Sequence, residues 1–105
     1  MGEQFEFASI SGEEAARLIV KGEIDLMAEE PLVDSVAAAL SSSAASMLVL
    51  DLNAVSFMDS SGVRAVLRCQ RAAKERGVAF RVAVTKGPLT KLFRLAGVTD
   101  WFDYE

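Results

Sequence analysis

The chain has 105 residues, 51% of them hydrophobic, and a formal net charge of −4. That length supports one compact domain with a core of its own, and the acidic balance argues against nucleic acid or an anionic membrane surface as a direct partner. A single cysteine, Cys69, excludes an internal disulfide, and the absence of histidine removes Ser-His and Cys-His nucleophilic sites along with the commonest metal ligand.

From Gln4 to Ile10, Phe5 and Phe7 alternate with Glu6, the pattern of a short strand with one apolar face. Ser11-Gly12 is a turn pair, and Ala15 to Lys21, centred on Leu18-Ile19-Val20, is the next strand. Their close spacing predicts an antiparallel hairpin at a sheet edge. Gly22-Glu23-Ile24-Asp25 follows, with the glycine placed to permit a bulge or sharp turn. The first helix is expected from about Ala28 to about Ser42. Glu29, Glu30 and Pro31 then fall in its first turn, where negative charge suits the dipole and proline is tolerated. Leu32, Val33, Val36, Ala37 and Leu40 form its apolar stripe. A small polar connection, Ser41 to Ser46, leads to Met47-Leu48-Val49-Leu50-Asp51-Leu52, a buried strand.

The second helix starts near Ser60 and ends before Gly77, with Val63, Val66, Leu67 and Ala73 at helical spacing and Arg64, Arg68, Arg71 and Lys74 turned elsewhere. Cys69 lies inside this pattern, which makes it a packing residue rather than a nucleophile. Gly77 is placed to close the helix. Ala79 to Val84 alternates as another strand, Lys86-Gly87-Pro88 leads into a third helix with Leu89, Leu92, Phe93 and Ala96 as its stripe, and Gly97-Val98 closes it in a Schellman-like pattern. Trp101 to Tyr104 is expected as a last short strand. Helical connections between the later strands imply right-handed parallel crossovers. The expected fold is therefore α/β: one domain over residues 1–105, with a small mixed β-sheet, an edge hairpin and helices mainly on one face.

Between the central strand and the second helix stands Val55-Ser56-Phe57-Met58-Asp59-Ser60-Ser61-Gly62-Val63. Asp59-Ser60-Ser61 sets cap-forming side chains where the first free amides of a helix point outward, a place that also welcomes a phosphate. Read alone, this is an N-cap. The longer string from Asp51 to Val63 resembles the signature of the STAS domain of bacterial anti-sigma factor antagonists: an acidic-Leu pair, a spacer, an aromatic-Met pair, then Asp-Ser-Ser-Gly, with Val63 where leucine is usual. Gly22-Glu23-Ile24-Asp25 resembles the same family's Gly-Glu-Leu/Ile-Asp loop, and the element order resembles the family fold over nearly the whole chain.

The resemblance implies that Ser60 is phosphorylated by an anti-sigma factor that is itself a serine kinase. It implies a partner-binding face made of Asp25, Asp59, Ser60, Ser61, Gly62 and Val63. The unphosphorylated form would bind the anti-sigma factor and free a sigma factor for transcription; the phosphorylated form would let go. A dedicated phosphatase is left open as the partner that resets the switch. The chain would be a kinase substrate in the cytoplasm, with no cofactor, no metal and no enzymatic activity. The first four residues lack a signal-peptide pattern, and no apolar run reaches the length of a membrane span.

Other readings stay open. The chain is alternatively a STAS docking module that is never phosphorylated, such as an accessory subunit of a lipid-transport complex, or a scaffold in a signalling assembly. A small phosphoryl-accepting hydrolase is remote, since neither histidine nor a phosphate-binding glycine loop is present. A response-regulator receiver is disfavoured: Asp51 ends a central strand, but Glu29-Glu30 lie in the wrong element and no lysine follows Val98. Asp25, Asp51 and Asp59 read as loop, cap and strand-end acids rather than as a metal or acid-base cluster.

Overall fold

The computed structural model describes residues 4–85 and 87–105. Lys86, counted above in the turn before the third helix, lies outside them. The described residues form strands β1 (Phe5–Ser11), β2 (Ala15–Ile24), β3 (Met47–Met58) and β4 (Ala79–Ala83) in one sheet of order β1-β2-β3-β4. The helices are α1 (Leu26–Ser42), α2 (Ser60–Glu75) and α3 (Pro88–Leu95). β1 and β2 pair antiparallel, from Phe5 opposite Gly22 to Ser11 opposite Ala16. β2–β3 and β3–β4 are parallel, so the expected edge hairpin and crossovers are both present.

Strand alternation sorts the sheet into two faces. Leu18 and Val20, Leu48, Leu50 and Leu52, and Phe80 and Val82 point to one side, where they form a single core with Leu32 and Val36 of α1, Val66 and Ala73 of α2, and Leu89 and Phe93 of α3. Burying such side chains is the main term that holds a domain of this size together, at about 1.5–3 kcal/mol each before entropy is counted. The opposite face carries Arg17, Asp51 and Arg81, and there Arg17 Nη1 donates to Asp51 Oδ2 at 2.7 Å while its Nη2 pairs with Glu105. Helices α2 and α3 each close in a full Schellman motif. Val78 N donates to Ala73 O and Gly77 N to Lys74 O after α2; Val98 N donates to Phe93 O and Gly97 N to Arg94 O after α3.

Four elements differ from the sequence-level expectation. β3 does not stop at Leu52 but runs to Met58. Its second half gains residues against β2, because Ile19–Lys21 spans Asp51–Ala54 and Gly22–Glu23 spans Val55–Phe57. Bulged strand of this kind loses the period of two that marks a strand in sequence. β2 continues to Ile24, passing through Gly22, whose φ is 100° and whose missing Cβ would stand 2.1 Å from Gln4 O. α1 begins at Leu26, so Pro31 lies in its second turn rather than its first. The last segment is not a strand: Thr99–Trp101 is a 3₁₀ turn, and only Tyr104 bridges to Val82. Among the described residues the chain there shares two backbone hydrogen bonds with β4, both at Val82: Val82 N donates to Asp103 O and Glu105 N donates to Val82 O.

Candidate functional site

The site is built where two parallel strands end side by side. Ile24 and Met58 are register partners at the ends of β2 and β3. Each is followed by an aspartate, and each aspartate caps the next helix from an extended backbone, Asp25 at φ −111°, ψ −163° and Asp59 at φ −113°, ψ −168°. Asp25 Oδ1 accepts from Met27 N at 3.0 Å. Asp59 Oδ1 accepts from Ser61 N at 2.9 Å and Gly62 N at 3.2 Å. These amides have no partner inside their helices, and the two carboxylates satisfy them.

Gly62 locks the two ends together. A Cβ on it would stand 2.6 Å from Ile24 O and 2.3 Å from Met58 Cγ, so only glycine lets the first turn of α2 rest on the end of β2. The structure therefore brings Asp25, Asp59, Ser60, Ser61 and Gly62 to one end of the sheet. Gly62 and Val63 are buried and shape the site from beneath; Asp25, Asp59 and Ser61 are half-buried, and Ser60 is exposed. Ser60 Oγ makes no hydrogen bond within the protein among the described residues. It stands at the first helical position of α2 with its hydroxyl open to an incoming reagent or surface.

Sequence reasoning missed two parts of this neighbourhood. The first is an apolar rim. Leu26 and Met27, directly after Asp25, are 64% and 76% exposed, and Phe57, two residues before Asp59, is 49% exposed. Phe57 and Met58 also wall a groove of about 300 Å³ against Pro88, Lys91, Leu92 and Leu95 of α3. Exposed apolar residues gathered round a polar centre mark a surface that meets another molecule. The only signal in sequence was two apolar residues lying outside any helical stripe.

The second is Glu29. It lies in the first turn of α1 and is 6% exposed. Its carboxylate is held by α2: Arg64 Nε lies 3.1 Å and 2.9 Å from its two oxygens, Arg64 Nη2 donates to Oε1 at 2.7 Å, and Arg68 Nη1 donates to Oε2 at 3.0 Å. Arg68 also reaches Glu30 Oε1 at 2.6 Å. Hydrogen bonding from Arg64, opposed by burial and reinforced by Arg68, pulls the Glu29 carboxyl from its ordinary 4.5 down to about 2. A spacing of thirty-five residues between Glu29 and Arg64 leaves no trace in local pattern.

Asp51 and the Cys69 thiol lie outside this site. Asp51 is engaged by Arg17 on the open face of the sheet, away from the caps. Among the described residues no group of three or more His, Cys, Asp or Glu side chains is arranged to hold a metal ion. Cys69 is buried, and that burial pushes its thiol up to about 12, which leaves it uncharged and unreactive. No helix among the described residues is long and apolar enough to cross a membrane.

A family model described as "Mlab, STAS domain" matches residues 8–102. The chain belongs to the STAS domain family. Among solved STAS-like structures, an anti-sigma factor antagonist from Mycobacterium paratuberculosis superposes with a TM-score of 0.79 at 20% identity, covering 95% of this chain and 84% of that one. The anti-sigma factor antagonist SpoIIAA in its unphosphorylated form gives 0.73 at 24% identity, covering 96% and 87%. The Bacillus cell fate determinant SpoIIAA in the phosphorylated form gives 0.67 at 24% identity, covering 95% and 91%. At these identities the likeness establishes a shared STAS fold, including the mixed sheet and its three helices.

Proposed function

We propose that this STAS domain is an anti-sigma factor antagonist that works by partner switching. Unphosphorylated, it binds an anti-sigma factor kinase through the sheet end that carries Asp25, Asp59, Ser60 and Ser61; phosphorylation on Ser60 ends the contact. The observation that carries the reading is Ser60 itself: an exposed residue at the first position of α2, without a hydrogen bond among the described residues, at the same sheet end as the exposed Leu26, Met27 and Phe57. A serine kept only as a cap would direct its oxygen to a helix amide, but Asp59 already fills that role.

The physical switch is local. A phosphoserine adds close to two negative charges and three acceptor oxygens. Asp59 holds the amides of the first turn, but the dipole of α2 still favours that charge, so the fold survives it. A partner surface matched to a neutral hydroxyl meets both bulk and charge, next to Asp59. The existence of SpoIIAA structures in both phosphorylation states, with the same fold as this chain, supports the reading by likeness. The chain is then a substrate of the kinase rather than an enzyme, and a phosphatase is the natural agent of reset.

The test is incubation with ATP and the cognate kinase, followed by intact mass and phosphopeptide mapping. One added phosphate on Ser60, absent from Ser60→Ala, is expected. Modification of Ser61, or a Ser60→Ala protein still modified, overturns the site. An unmodified wild-type protein that still binds its partner favours constitutive docking, the second reading. The family description names Mlab rather than an antagonist, so the family match does not choose between the two.

A further inference from the structure

We infer that Arg64 is the counter-ion of a phosphate on Ser60, kept on Glu29 for as long as Ser60 is unmodified. The inference rests on the reading that Ser60 is phosphorylated and names what this chain does with the added charge.

Ser60 and Arg64 are both in α2, four residues apart, so their side chains share a face. Helical side chains lean toward the N-terminus, which tilts the Arg64 guanidinium back over the turn that holds Ser60. Glu29 raises the Arg64 pKa by hydrogen bond and charge, against desolvation and the charge of Arg68, and the Asp59 charge adds the smallest part, in keeping with the cap lying one turn before Arg64. Arg64 is not buried in its ion pair: its side chain is 58% exposed, whereas that of Glu29 is 8% exposed. Its Nε and Nη2 face Glu29, and among the described residues Nη1 has no partner. A guanidinium can hold carboxylate with one edge and phosphate with another, in the fork geometry that favours bidentate anion contacts.

Glu29 is the reason the arginine can turn. A buried carboxylate with one cationic partner cannot give it up without becoming an orphaned charge. Glu29 has two partners, and Arg68 stays on Oε2 when Arg64 swings toward Ser60. Arg68 is itself tied to Glu30 and lies two turns along the helix, so it does not compete for the phosphate. Glu29, Arg64 and Arg68 thus form a relay in which one arginine anchors the α1–α2 contact and the other is available to a new anion.

The experiment installs phosphoserine at position 60 by genetic code expansion, without a kinase, and follows the phosphate by ³¹P NMR across pH. An unassisted phosphoserine has a second pKa of about 6. In the otherwise wild-type protein the value is expected below that, because a nearby cation favours the dianion. Arg64→Gln is expected to raise it by about half a unit or more, while Arg68→Gln leaves it unmoved. Arg64→Lys keeps the charge, loses the fork and is expected to fall between, which covers the case in which Arg64→Gln weakens the fold; thermal melts accompany each protein. The Arg64 Nε–H resonance should also shift on phosphorylation. If Arg64→Gln and Arg64→Lys leave the phosphate pKa where the wild-type protein has it, or if Arg68→Gln moves it as far, the inference is wrong. Because the phosphate is encoded, a kinase that ignores Ser60 overturns the proposed function without touching this result.

Discussion

Asp25 and Asp59 occupy equivalent places: each follows one member of the Ile24–Met58 register pair, and each caps a helix from nearly the same backbone angles. They differ in load. Asp59 satisfies two amides and Asp25 one. Replacing a capping aspartate by alanine costs about 0.5–2 kcal/mol. Asp59→Ala is expected toward the upper end of that range and Asp25→Ala toward the lower, read as midpoint shifts in urea denaturation with unchanged slope. Equal losses would mean that the second amide at Asp59 contributes nothing.

Gly62 allows a sharper test of how the two strand ends are held. Gly62→Ala puts a methyl group against a backbone oxygen, Ile24 O, and a flexible side chain, Met58. Met58 can move; the carbonyl of Ile24 is fixed by the sheet. The substitution is expected to destabilise by about 1–3 kcal/mol, as overpacking does. Adding Met58→Ala should not relieve it, since that removes the soft neighbour and leaves the hard one. Recovery of Gly62→Ala by Met58→Ala in denaturation midpoints would show that the glycine serves only the methionine.

Much of this architecture is legible in the sequence, and the misses share a cause. The edge hairpin, the α2 boundaries and both glycine closures follow from local rules: period-two alternation, apolar spacing, and a glycine just past a helix end. β3 from Asn53 to Met58 was hidden because extra residues break the alternation. The start of α1 was hidden because Leu26 and Met27 are apolar but exposed, so they add nothing to the buried stripe of Leu32, Val36 and Leu40. Glu29 is the first-turn acid that the pattern expected, but its partners on α2 were hidden because local pattern cannot report a partner on another helix. Trp101 to Tyr104 has the composition of a strand but only one bridge to join it to the sheet. At the site, the cap chemistry of Asp59 was readable from residue types; the apolar rim was not, since exposure is a property of the assembled fold.

The Glu29 ion pair carries a pH signature. Its folded pKa of about 2 lies below the ordinary 4.5, so the folded state binds this proton less readily than the unfolded chain does. The stabilisation is therefore complete above about pH 4.5 and is lost as pH falls toward 2. Glu29→Gln cannot titrate. Its stability is expected to be lower at neutral pH and to fall less steeply between pH 4.5 and 2 than that of the wild-type protein, so the two curves converge in acid. Parallel curves from guanidinium titrations over that range would show that Glu29 is not held as an anion.

The charge prediction at Ser60 separates fold from binding. Ser60→Asp puts a carboxylate at the first position of α2, where the dipole favours it by roughly 0.3–1 kcal/mol, so the melting temperature should hardly change. Arg64 stands one turn away and can answer part of the new charge. A partner seated over Leu26, Met27 and Phe57 would nevertheless desolvate that carboxylate beside Asp59. An unpaired charge buried at an interface costs roughly 2–5 kcal/mol, which is a loss of about thirtyfold to several thousandfold in affinity. Ser60→Ala removes the hydroxyl without adding charge and should bind close to wild type, with no phosphorylation. Phe57→Ala, which leaves the charge of the face unchanged, should weaken binding in all three backgrounds. Titration calorimetry against the anti-sigma factor, with melts on each protein, reads these effects separately. If Ser60→Asp binds as tightly as wild type while Phe57→Ala does not, the face is a docking surface but the serine is not its switch.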